Sequence, residues 1–126
     1  MIKNSSLNHL EPGKIHQTGP IGKMLDLSIA NRLKKINYSR MVDPFRFRYE
    51  NDHAWRCEFW GKVVRSAILS WHGNPDAELL KIIQETVSEL ISTQTPDGCI
   101  SSYPTEHQTE YWDIWGRKYV LLALTR

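Results

Sequence analysis

The sequence predicts an all-α fold, and three observations carry that prediction. Apolar residues recur at helical spacing in four separate segments. Proline, glycine and asparagine supply turn chemistry between them. One stretch alone, residues 99–103, is too short for a helix and reads as a small strand or an extended loop.

Taken in order, residues 1–20 carry Pro12-Gly13 and Gly19-Pro20 and read as an irregular arm. Residues 21–36 place Met24, Leu25, Leu27, Ile29, Leu33 and Ile36 on a moderately amphipathic helix, followed by Asn37-Tyr38-Ser39. Asp43-Pro44 is expected to break the chain before the first group of aromatic residues. From Lys62 to Trp71 a helix carries Val63, Val64, Ala67, Ile68 and Trp71 on one stripe, with Gly73 as its left-handed cap.

The clearest helix runs over residues 74–94. Asn74 is the expected N-cap, Pro75 sits in the first turn, where a missing N–H costs nothing, and Asp76 and Glu78 face the positive end of the helix dipole. Leu79, Leu80, Ile83, Val87, Leu90 and Ile91 form its apolar face, and Pro96-Asp97-Gly98 ends it. The short link to the preceding helix makes the pair a helical hairpin. The last helix covers Asp113 to Leu124. It places Trp112, Trp115, Tyr119 and Leu122 on one face, and Asp113 can pair with Arg117 at i,i+4. Its second half is apolar all round, the pattern of an element covered on both sides, and the chain ends within it.

Composition narrows the function classes. A chain of 126 residues with 40% apolar and 24% charged residues is globular and of single-domain size. A net charge of +2 gives no whole-chain case for nucleic acid. The mixed charges of Asp43, Glu50 and Asp52 balance Arg40, Arg46 and Arg48 beside Phe45 and Phe47. No apolar run approaches the ~20 residues of a bilayer span, so no membrane partner is expected. Residues Met1 to Asn8 lack the apolar stretch of a secretory signal. Cys57 and Cys99 form no CxxC, and the histidines form no HExxH. Glu106-His107-Gln108-Thr109-Glu110 reads as a solvated loop rather than a metal site, and no G-x-S-x-G supports serine hydrolase chemistry.

The aromatic residues are unevenly spread. Phe45, Phe47, Tyr49, Trp55, Phe59 and Trp60 make one group, and Tyr103, Tyr111, Trp112, Trp115 and Tyr119 a second. Around them stand four recognisable blocks in order: Asp43-Pro44-Phe45-Arg46, Glu58-Phe59-Trp60-Gly61-Lys62, Thr93-Gln94-Thr95-Pro96-Asp97-Gly98 and Tyr111-Trp112-Asp113-Ile114-Trp115-Gly116-Arg117-Lys118-Tyr119. Together they resemble the N-terminal part of the beta-L-arabinofuranosidase-type glycoside hydrolases, over most of residues 20–126. The resemblance implies an (α/α)6 barrel built from helical hairpins. With about four helices where a full ring needs about twelve, residues 21–126 would be a truncated, N-terminal portion of that barrel. It also implies retaining cleavage of arabinofuranosides in plant glycans, with a zinc-bound cysteine nucleophile and a glutamate acid/base lying downstream. No catalytic residue, metal ligand or cofactor is therefore assigned within this chain. Cys99 departs from the aromatic residue usual after P-D-G, and relatives are often exported.

By the same resemblance the substrate-binding candidates are Glu58, Trp60, Lys62, Asp113, Trp115 and Tyr119. Aromatic rings suit the C–H faces of sugars while polar neighbours hold hydroxyls. Each has a plainer structural reading. Glu58 would cap a helix starting near Gly61, Asp113 would cap the last helix and pair with Arg117, and Trp60, Trp115 and Tyr119 would be core. Lys62 would be solvated, and Trp112 reads as core. The partner expected is an oligosaccharide or plant cell-wall glycan, with self-association where an incomplete ring leaves apolar faces open. The alternative from another class is a non-catalytic, all-α carbohydrate-binding or interaction module.

Overall fold

In the computed structural model, which describes residues 10–48 and 57–125, all regular structure is helical. Five α-helices follow one another: α1 (Gly19–Ser28), α2 (Tyr38–Phe47), α3 (Cys57–Gly73), α4 (Ala77–Ile91) and α5 (Asp113–Leu124). The expectations for Met1 to Asn8, Tyr49, Glu50, Asp52 and Trp55 lie outside the described residues.

α1 starts earlier than the apolar pattern suggests because Pro20 suits a first helical turn. It runs on into a π-helical turn, Ile29–Leu33, in which the Lys34 amide reaches back to the Ile29 carbonyl at 3.1 Å. α2 is a correction to the sequence reading. Pro44 does not break the chain there but lies inside the helix, where it forfeits one backbone bond. What outweighs that loss is burial of Tyr38, Val42, Pro44 and Phe45 on one side, together with a cap in which Asn37 Oδ1 accepts from the Arg40 amide at 3.0 Å.

α3 begins at Cys57, five residues before the predicted start, and Gly61 is a helix-interior residue rather than a boundary. Gly73 is helical too, not a left-handed cap, since the Asn74 amide still bonds the Ser70 carbonyl at 2.9 Å. The helix stops because Pro75 has no N–H to continue it. The N-cap of α4 is accordingly Asp76 and not Asn74. The Asp76 carboxylate accepts from the Leu79 amide at 2.8 Å and pairs with Lys34 at 2.6 Å. Asn74 instead donates to Asp26 at 2.8 Å, while Gly13 of the N-terminal arm donates to the His72 carbonyl at 2.9 Å. Residues 99–103 form a loop, and no strand occurs among the described residues.

α3 is the central element, packing against α2, α4, α5 and the π-turn. Its first half contributes Cys57, Trp60 and Val64 to a core shared with Tyr38, Val42, Phe45, Leu90, Val120 and Ala123. Its second half contributes Ala67 to a smaller core with Ile29, Leu33, Leu79 and Ile83. Trp60 is wholly buried and donates its indole N–H to the buried Thr86 hydroxyl at 2.9 Å, which satisfies the one polar group of the ring.

The closest packing is between α3 and α5, and two glycines permit it. A methyl group on Gly61 would stand 2.4 Å from the backbone carbonyl of Tyr119, and one on Gly116 would stand 1.9 Å from the Cys57 sulfur. Contact on this side leaves the other side of α5 open: Val120 and Ala123 are buried, whereas Ile114 and Leu121 are 56% and 60% exposed. The coverage on both sides expected for this helix is therefore absent among the described residues.

Gly61→Ala and Gly116→Ala should each lower stability by roughly 2–3 kcal/mol, because the clash is with backbone or a buried sulfur that cannot swing away. Gly73→Ala, which meets only a Leu25 methyl at 3.8 Å, should be neutral or stabilising by about 0.5 kcal/mol. Urea midpoints of the three variants give the comparison, and equal effects at Gly61 and Gly73 would sink the close-packing account.

Candidate functional site

The α3–α5 contact sets the candidate site. One turn of α3 projects Glu58 and Lys62 at i,i+4, and the first turn of α5 with the residue before it projects Trp112 and Trp115. These four side chains line one groove of about 280 Å³. A closed apolar cavity of ~150 Å³ already admits a benzene ring, so the groove has room for one substituted six- or five-membered ring.

Its polar groups are organised. Glu58 Oε1 lies 3.0 Å from the Lys62 ammonium, and Glu58 Oε2 accepts from the Trp115 indole N–H. Lys62 also stands 4.7 Å from the centre of the Tyr119 ring. Trp115 packs edge-on against both Trp112 and Tyr119, with ring centres 6.3 and 5.4 Å apart. The result is an aromatic wall with a carboxylate and an ammonium at its edge.

A second cluster is centred on a buried carboxylate at the start of α5. Asp113 is fully enclosed and accepts from the Ser101 hydroxyl at 2.6 Å and the Thr109 amide at 2.7 Å, while Arg117 pairs with it at 2.6 Å. Burial pushes the Asp113 carboxyl up, but the guanidinium, hydroxyl and amide outweigh it and hold the group below its ordinary range. Arg48, left-handed at the end of α2, donates to the carbonyls of Thr93 and Ser101 at 3.0 and 3.4 Å. The 93–103 turn is thereby tied to the base of α2. Within that turn Asp97 accepts from the Thr95 hydroxyl and the Cys99 amide, with Gly98 at positive φ.

Of the six sequence candidates, Glu58, Lys62 and Trp115 line the groove, and Tyr119 sits against Trp115 and Lys62. Trp60 and Asp113 are placed elsewhere: both are wholly buried with their polar atoms engaged inside the protein. Glu58 does not cap a helix starting near Gly61, but occupies the first turn of α3 and turns its carboxylate to Lys62. Trp112, read as core from its spacing, is 59% exposed and forms part of the groove wall. The available signal was its position immediately before the first helical residue, where the α5 face pattern does not yet apply.

Other chemistry-bearing groups among the described residues stand apart from one another. Burial pushes the Cys57 thiol up, away from thiolate chemistry. His107 pairs with Glu110 at 2.9 Å in an exposed loop. Arg46 pairs with Asp43 and Glu89 at 2.8 and 2.7 Å, in keeping with a mixed-charge surface. Among the described residues no three His, Cys, Asp or Glu groups come together as a metal site. No helix among them is long and apolar enough to cross a membrane. Comparison with known protein families, curated proteins and solved structures gives no match to this chain.

The Asp113 cluster makes stability pH-dependent in a defined direction. Its carboxyl titrates below its ordinary value of 3.8, so the stabilisation is complete above that value and is lost as the pH falls through the lower native one. Asp113→Asn should cost roughly 2–3 kcal/mol at neutral pH and flatten the acid limb of the stability curve. Denaturation midpoints between pH 2 and 6 measure both; an unchanged acid limb in the variant would remove Asp113 as its source.

Proposed function

We propose that the groove between α3 and α5 contacts a sugar, and that these helices form an N-terminal sector of an (α/α)6-barrel glycoside hydrolase of the beta-L-arabinofuranosidase type. The observation that carries the reading is a convergence. The E-F-W-G-K and W-D-I-W-G-R-K-Y blocks are separated by residues 63–111 in sequence, yet their Glu58, Lys62 and Trp115 side chains meet in one groove. The T-Q-T-P-D-G turn and the residues after the D-P-F-R block are joined by Arg48. Blocks that share a resemblance also share a location.

The groove chemistry supports the substrate class. Indole faces at Trp112 and Trp115 match the apolar C–H face of a furanose or pyranose, and Glu58 and Lys62 offer an acceptor and a donor for hydroxyls at its rim. The uncovered face of α5, with Ile114 and Leu121 in water, supports the barrel: further helices of the ring would cover it.

Catalysis is assigned to the complete barrel. Glu58 has both carboxylate oxygens engaged and Asp113 is sealed from solvent, so neither is a free acid or nucleophile here. In the intact enzyme the outcome would be retaining cleavage of arabinofuranosides of plant glycans, with the nucleophile and its zinc supplied by other parts of the ring. By itself this set of helices binds without hydrolysing.

Arabino-oligosaccharides should therefore shift the Trp115 indole N–H resonance of the purified chain, and Trp115→Ala should weaken their binding by about tenfold, near 1.4 kcal/mol. A titration that leaves every indole resonance unmoved, or a Trp115→Ala chain that binds as well as the parent, would overturn the sugar site.

A further inference from the structure

Around the groove nearly every charge has a countercharge. Glu58 is held by Lys62, and Arg117 by Asp113. Lys118 differs. Its ammonium lies 3.5 Å from the centre of the Trp115 ring and 4.4 Å from that of Tyr119, and no acidic group pairs with it among the described residues. Lys118 is exposed, and the ring faces restrain its ammonium against Trp115, one of the residues that line the groove. The Lys62 ammonium faces the same Tyr119 ring at 4.7 Å. Two ammonium groups are thus gathered at one aromatic cluster that includes a single carboxylate, already shared.

We propose that the groove is selective for acidic glycans, with Lys118 as the residue that meets the carboxylate of a uronic acid unit while the apolar C–H face of a neighbouring ring of the same chain lies on the tryptophans. This rests on the sugar-site reading and names its substrate class. A freely moving lysine would have to be ordered before it met an anion, whereas a cation pre-positioned on an aromatic face offers a charge-assisted hydrogen bond with that cost already met. The neutral face of the ligand and its carboxylate are read by different groups, so the two contributions separate experimentally.

The test compares a neutral arabino-oligosaccharide with an oligogalacturonate of equal length, titrated into the full chain and into Lys118→Met, with indole resonances as the readout. Methionine keeps an apolar stem of similar reach over Trp115 and removes the charge. The expected result is that the parent binds the oligogalacturonate at least tenfold more tightly at low salt, that 0.5 M NaCl erodes the difference, and that Lys118→Met abolishes it while binding the neutral sugar unchanged. Equal affinities for the two sugars in the parent would overturn acidic selectivity and leave the sugar site standing. A preference that survives Lys118→Met would overturn the role of Lys118, and failure of both sugars to bind would overturn the sugar site with it. Unfolding of the variant is checked by its urea midpoint, and Lys118→Arg, which keeps the charge, should retain the preference.

Discussion

The architecture depends on how closely α3 and α5 approach. Helix axes ordinarily sit 8–10 Å apart, with side chains setting the spacing. Here the backbone of Tyr119 lies over Gly61 and the Cys57 sulfur over Gly116, so each helix supplies a glycine where the other presses hardest. Glycine inside a helix costs about 1 kcal/mol in chain entropy, and two such positions are tolerated because the contact they allow buries Cys57, Trp60, Val120 and Ala123 in one core. The same approach puts Glu58 within reach of the Trp115 indole. Widening the gap by one methyl group would part the two halves of the groove.

Close approach alone does not fix how α5 enters the contact, and the Asp113 cluster supplies that. A buried carboxylate is stable only where hydrogen bonds and a countercharge replace its water. Asp113 obtains them from Ser101, Thr109 and Arg117, three points on the loop and helix around it. The loop before α5 must therefore fold back over the helix start, which accounts for the left-handed backbone at Thr109 and Tyr111. Arg48 anchors the same loop to α2 from the other side. The groove wall is held by a charge network that itself never touches the groove.

How far the sequence reveals this differs by residue. α4 and α5 were legible because their signals are local: helical spacing, proline and acidic residues at one end, a P-D-G turn at the other. So was the Asp113–Arg117 pair, which needs only one helical turn. Pro44 and Gly61 misled because their usual local meaning, a break, was overridden by tertiary burial at Val42, Phe45 and Trp60. The cap of α4 moved from Asn74 to Asp76 because Lys34, forty-two residues away, favours a carboxylate there. Trp60 and Trp115 carry the same side chain and neither spacing nor composition separates them. Only the position of α4, with Thr86 ready to accept from Trp60, decides which tryptophan is core and which is wall.

Exposed apolar surface on α5 falls into two kinds, and the difference bears on what each end of the helix meets. At its first turn the exposed rings of Trp112 and Trp115 stand beside Glu58, Lys62 and Lys118, so anything that settles there must present apolar faces and polar edges together. Farther along, Leu121 and Leu124 are exposed at 60% and 37%, and the groove's charged groups belong to the other end of the helix. Covering that surface releases water with no polar group to satisfy, which favours another helix over a sugar. A single element thus passes, within three turns, from rings flanked by charged groups to bare aliphatic side chains. The proposed ring rests on that contrast, since it would leave one end of the helix open and pack the remainder among neighbours.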